Sequence, residues 1–157
     1  GGVDVLRADD DASVLLVSVG AFATLCLEVA DRLAQQGIAV TVVDPRWVVP
    51  VPEAVVDLAR EHRLVVTVED NSRAGGVGSA VAAALRDAEV DVPLRDFGIE
   101  RRFLHQASRA SVLSQLGLTA QDVSRAVVET VARLDHVVDT QDAASADAPA
   151  EDAGPSA

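Results

Sequence analysis

Apolar and polar positions along the chain fall into two alternating rhythms. Val14-Leu15-Leu16-Val17-Ser18-Val19 is a near-continuous apolar run closed by Gly20, the pattern of a strand covered on both faces. From Ala21 to Gln36, Leu25, Val29, Ala30 and Leu33 recur at helical spacing, and Gly37 predicts the helix end. The unit then repeats. Residues 39–43 predict a strand, Pro52 to Glu61 a helix opened by proline, and Leu64 to Val68 the next strand. Gly75 to Ala88 predicts an alanine-rich helix with Val77, Val81, Ala84 and Leu85 inward, and Val92 to Phe97 a final, more polar strand. Val3 to Leu6 alternates weakly, as a short edge strand would, ahead of the acidic turn Asp9-Asp10-Asp11.

Strands alternating with helices require crossovers, and right-handed crossovers produce a mostly parallel sheet with helices on both faces. The expected fold is therefore α/β. Beyond Gly98 the rhythm changes to a connection through Phe103 and His105, a helix from Ser111 to Leu116 stopped by Gly117, and a helix starting near Thr119. Thr119 with Asp122 three residues on resembles a capping box, and Val123, Val127, Val131 and Leu134 continue the apolar face. From about Asp135 the sequence turns to Ala, Asp, Ser and Pro. One domain over 1–135 and a disordered acidic tail over 136–157 are expected.

Composition narrows the functional classes. The formal charge is -12, and every basic charge is Arg because Lys is absent, as are Met and Tyr. Nucleic-acid binding needs a basic face that releases counterions, which this balance opposes. The single cysteine, Cys26, rules out an intrachain disulfide and reads as a small core residue. Neither a membrane-length apolar run nor a secretory leader is visible, so a cytoplasmic setting is expected. The chain opens on Gly1-Gly2-Val3 without Met and reads as a piece of something longer.

Candidate chemistry concentrates at two predicted strand ends. Asp44-Pro45-Arg46 closes one strand, where an Arg fork would bind phosphate or carboxylate, pair with an acid of a neighbouring domain, or bridge to Asp44 or Glu69 to order the turn. Glu69-Asp70-Asn71 closes the other, followed by Gly75-Gly76-Val77-Gly78-Ser79 at a helix start. Free amides there would hold an anion, but a close-packing turn fits the same residues. The spacing matches neither the phosphate-loop pattern nor the dinucleotide fingerprint. His105 and Ser108 suggest a triad of His, Ser and an acid, yet no serine sits in a nucleophile elbow. His62 and His136 read as surface residues, and three scattered histidines do not make a metal centre.

Taken in order, Asp44-Pro45-Arg46-Trp47-Val48-Val49-Pro50, Thr67-Val68-Glu69-Asp70-Asn71, Gly75 to Ser79, then Phe103, His105, Ser108-Arg109 and Gly117-Leu118-Thr119 resemble a known family. From Val3 to Leu134 the chain is similar to the C-terminal, transketolase-like domain of 1-deoxy-D-xylulose-5-phosphate synthases of actinobacterial type. The β subunits of 2-oxo acid dehydrogenases share several of these landmarks and are the alternative, as is a stand-alone non-catalytic module. The resemblance implies a three-layer α/β/α fold with a five-stranded mixed, mostly parallel sheet, Val3–Leu6 being the antiparallel strand. It also implies a parent transferase that condenses pyruvate with glyceraldehyde 3-phosphate, releasing carbon dioxide, for non-mevalonate isoprenoid and thiamine biosynthesis. Thiamine diphosphate and Mg2+ would be held by preceding domains of the same enzyme, which is expected to be a homodimer. No catalytic, cofactor-binding or metal-binding residue carries over to this segment, which alone is expected to be inactive. Asp44, Arg46, Glu69, Gly75, Gly76, Gly78 and Ser79 remain as candidates for interdomain or anion contact.

Overall fold

The computed structural model describes residues 2–101 and 107–146. Five strands form one sheet: β1 (Val3–Ala8), β2 (Val14–Ser18), β3 (Val40–Pro45), β4 (Leu64–Ser72) and β5 (Leu94–Ile99). Their order across the sheet is β1-β3-β2-β4-β5. β3 and β4 both run parallel to β2, β5 runs parallel to β4, and β1 pairs antiparallel with β3 at one edge. The expected mixed sheet with an antiparallel first strand is what forms.

The helices follow from the order of the strands. α1 (Ala23–Ala34) carries the chain from β2 to β3, while α2 (Glu53–Arg60) carries it back across β2 to β4. Right-handed crossovers in opposite directions place their helices on opposite faces. α3 (Val77–Asp87), linking β4 to β5, continues in the direction of α2 and shares its face. The core divides accordingly. Val14, Leu16, Val40, Val42, Leu64 and Val66 pack on one side against Cys26, Val29 and Leu33 of α1. Leu15, Val17, Val43 and Val65 pack on the other against Val55, Val56 and Ala59 of α2 and Val77, Val81 and Leu85 of α3. All five β2 residues are buried, which explains why that strand reads as apolar without alternation. Each fully buried Val or Leu contributes about 1.5–3 kcal/mol over its exposed state. Burial also pushes the Cys26 thiol up to about 12, suiting a core residue.

Local signals end the elements where expected. Gly37 (φ 75°) follows α1 and Gly117 (φ 68°) follows α4 (Arg109–Gln115), both in the left-handed region that glycine enters without strain. α5 (Ala120–Ala146) starts at a true capping interaction: Thr119 Oγ1 accepts the Asp122 N–H at 3.2 Å and donates to the Asp122 carboxylate at 2.6 Å. Ala120, Val123 and Val127 place α5 beside α1 in the same core.

Two expectations need correction. The helix does not stop near Asp135 but continues to Ala146, because Val137 to Ala146 holds helix-compatible residues without Gly or Pro; residues 147–157 lie outside the described residues. His62 is not a free surface residue: it is half-buried, donating through Nδ1 to the Leu58 carbonyl at 2.6 Å while Nε2 meets Thr41 Oγ1 at 2.9 Å. Among the described residues, no helix is long and apolar enough to cross a membrane.

Candidate functional site

The carboxyl ends of the parallel strands bring the expected residues to one end of the sheet, in two groups separated by β2. The first group lies at β3. Asp44 stands opposite Asp4 in the antiparallel β1–β3 register, and Val3 stands opposite Pro45. Burial first, and the Asp4 charge second, push the Asp44 carboxyl above its usual range. Arg46 turns to Asp4: its Nη2 donates to Asp4 Oδ1 at 2.7 Å and its Nε reaches the same carboxylate at 3.1 and 3.2 Å. That contact holds the Asp4 carboxyl below its usual range. The partner of Arg46 is therefore neither Asp44 nor Glu69, the bridges anticipated from sequence. Register explains the difference, because an edge strand entering from the far end of the sequence brings in a third acid.

The second group lies at β4 and the start of α3. Glu69 is 1% exposed, and its carboxylate accepts the backbone N–H of Val77 and of Gly78, both at 2.9 Å. The first amides of α3, the anion donors anticipated from the glycine-rich turn, are thus taken by an acid of the chain itself. A carboxylate at a helix N-terminus satisfies orphan donors and complements the macrodipole. Glycine is required at both flanking positions. A Cβ on Gly76 would collide with the Ser72 carbonyl and stand 2.6 Å from the Glu69 oxygens; one on Gly78 would lie 2.7 Å from Thr67 Oγ1 and 2.8 Å from Asp96 Cβ. Gly75 N–H donates to Ser79 Oγ at 3.2 Å, and that hydroxyl donates to the Arg73 carbonyl at 3.3 Å. The turn is closed by its own side chains.

Charged residues around this turn are also paired. Arg73 grips Asp96 through Nε and Nη2 at 2.8 and 3.0 Å, lowering the Asp96 carboxyl. Asp70 receives Arg109 Nη2 at 3.0 Å, and the same guanidinium lies 5.6 Å from the centre of the Phe22 ring. Asp4, Arg73 and Asp96 were not singled out from sequence, and Arg109 only as a family landmark, since each partnership joins distant segments; only the antiparallel pairing of β1 with β3 would have flagged Asp4. His105 lies outside the described residues. Among the described residues no group of three or more His, Cys, Asp or Glu side chains is placed to hold a metal ion. The arrangement organises turns and presents a surface; among the described residues no nucleophile and base come together in it.

Comparison with known proteins identifies the family of the chain and its fold. The family model described as Transketolase, C-terminal domain, matches residues 1–123. Over 137 residues the chain is 69% identical to 1-deoxy-D-xylulose-5-phosphate synthase 2 of Streptomyces coelicolor, covering 86% of this chain and 21% of that protein. It is 61% identical over 137 residues to 1-deoxy-D-xylulose-5-phosphate synthase of Frankia casuarinae, covering 85% of this chain and 21% of that protein. The chain thus spans about a fifth of the length of these curated relatives. Among solved structures, a split gene transketolase, an inactive beta4 tetramer, superposes with a TM-score of 0.73 at 33% identity, covering 82% of this chain and 41% of that one. Transketolase from Campylobacter jejuni superposes at 0.59 with 19% identity over 82% of this chain and 18% of that one, a likeness of fold alone.

Proposed function

The chain belongs to the transketolase C-terminal domain family, and on that premise we propose that it is the C-terminal domain of a 1-deoxy-D-xylulose-5-phosphate synthase. The observation that carries this reading is the 69% identity over 137 residues to a synthase of that name. The parent enzyme would join pyruvate to glyceraldehyde 3-phosphate with loss of carbon dioxide, supplying isoprenoid and thiamine biosynthesis in the cytoplasm. Within it this domain contributes packing and homodimer assembly, and no covalent or acid-base group.

Thiamine diphosphate and Mg2+ would serve the parent reaction, and the residues described here do not fit them. The amides that start α3 and would suit a diphosphate are bonded to Glu69, and no cluster of metal-ligating side chains lies among the described residues. These groups therefore belong to other domains in this proposal, and no chemical step is derived through them. Gly78 is buried and Gly76 is closed in by Glu69 and Ser72, so the role of contact with a neighbouring domain is left to Asp44, Arg46 and the outer surface of the turn at Gly75 and Ser79. Glu69 supports that surface from inside.

Expression of the complete reading frame tests the proposal. The full-length protein should form 1-deoxy-D-xylulose 5-phosphate from the two substrates, and the 157 residues alone should neither turn over nor bind thiamine diphosphate in calorimetry. An inactive full-length protein, or cofactor binding by the isolated chain, would overturn it. A separately encoded subunit is the second reading, favoured by the likeness to a split gene transketolase. A start codon directly before Gly1, with an in-frame stop upstream of it, would select it.

A further inference from the structure

The loop after β3 is built from alternating anchors and outward residues. Val48 and Val51 pack into the core formed with α2 and α3, while Trp47 is 70% and Val49 65% exposed. On the adjoining strand Val3, opposite Pro45, packs into the same core. The inward valines fix the loop, so the outward side chains are held in place. Trp47 is the chain's one tryptophan, and with Val49 it leaves apolar surface in water next to Arg46 of the polar Asp4–Arg46 pair. A large aromatic set among apolar neighbours with a charged rim is the composition of an interface centre.

We infer that the polypeptide preceding Gly1 covers this surface, seating Trp47 and Val49 between this domain and the portion of the enzyme before it. The inference rests on the function proposed above. Its first argument is extent: the chain corresponds to 21% of its curated relatives, and the matching family model describes a C-terminal domain, so the remainder comes before it. The second is position. The Arg46 N–H donates to the Gly2 carbonyl at 3.4 Å, and Val3 pairs with Pro45, so the chain enters the fold directly beside Trp47. A second copy of the domain would have to compete with that entering segment for the same ground. Covalent attachment holds the entering segment at high effective concentration there.

Hydrogen exchange on the full-length enzyme and on the 157-residue chain tests the inference. Seating an aromatic anchor should slow exchange of the amides of Trp47, Val48, Val49 and Val51 by about tenfold or more in the full-length enzyme. Trp47→Ala in the full-length enzyme should return that segment to the rate of the 157-residue chain. Because Trp47 is exposed, the same substitution in the 157-residue chain should leave its unfolding midpoint unchanged, which separates docking from folding. Equal exchange in both proteins overturns the inference. So does protection that appears in the 157-residue chain on raising its concentration, which would assign the surface to a second copy. The exchange comparison is read whether or not the full-length protein is active, so lost activity counts against the proposed function and missing protection against the docking surface.

Discussion

The Glu69 carboxylate and Gly78 lock together across the turn between β4 and α3: Oε1 accepts the Gly78 N–H at 2.9 Å, and the missing Gly78 side chain leaves space that Thr67 and Asp96 close. Strand-end acid and glycine-rich turn are thus two halves of one internal cap. The pair makes the helix start at Val77 and keeps a charge inside the fold.

Removing the acid should therefore cost stability. Glu69→Ala leaves the buried Val77 and Gly78 amides without their acceptor, an expected loss of about 3 kcal/mol in urea unfolding of the 157-residue chain. Glu69→Gln retains one carbonyl acceptor and should lose less. A loss below about 1 kcal/mol for the alanine variant would mean that the two amides find other partners.

Gly78→Ala sets helix propensity against space. Alanine in a helix gains about 1 kcal/mol over glycine. Here the added Cβ would lie 2.7 Å from Thr67 Oγ1 and 2.8 Å from Asp96 Cβ, so the net change should be a loss of about 2 kcal/mol. Thr67→Ala in the same chain should recover part of it, and strictly additive losses would show that the two sites do not touch.

Asp44 and Asp96 should respond oppositely to pH. Arg73 holds Asp96 below 3.8, so its stabilising contribution is complete above that value and is lost as pH falls through the lower, folded-state value. Asp44 is raised above 3.8 by burial and by Asp4, so its ionisation opposes folding at neutral pH, and that opposition disappears as pH falls through the raised value. Asp96→Asn should lower, and Asp44→Asn raise, the unfolding midpoint at about pH 7, the Asp44 difference fading as pH falls toward 3.8 and the Asp96 difference only below it. Differences of the same sign would contradict the geometry at one of the two sites.

Much of this fold was legible because its signals are local. The uninterrupted β2 run gave a buried central strand, Gly37 ended α1, and the Thr119–Asp122 cap opened α5. The candidate site was legible in location but not in role. Glu69 followed by glycines reads as a ligand cradle until the chain folds back and the acid itself becomes the anion at the helix start. Arg46 beside Asp44 suggested a local bridge, yet its partner, Asp4, arrives only through antiparallel pairing of β1. The Ala- and Asp-rich stretch after Asp135 has the composition of a tail, and nothing in it breaks the helix before Ala146.

Arg46→Ala and Arg63→Ala form a matched comparison. Each arginine pairs with one carboxylate, Asp4 at 2.7 Å and Asp135 at 2.8 Å, and exposed pairs of this kind add little to stability. In the 157-residue chain the two variants should unfold alike. On the function proposed above, Arg46→Ala in the full-length protein should lower turnover or dimer stability, and Arg63→Ala should not. Equal effects in turnover and analytical ultracentrifugation would show that the β3 end holds no special contact.

The strand order also sets a schedule for folding. β2 is made early, yet Val14 pairs with Leu64, so the central strand receives its second neighbour only after α1, β3 and α2 have been synthesised. Until then one edge of the most apolar strand is open to wrong partners, on the ribosome or during refolding. Closure of that long loop is the slow event that topology imposes, and it precedes the Glu69 cap in chain order.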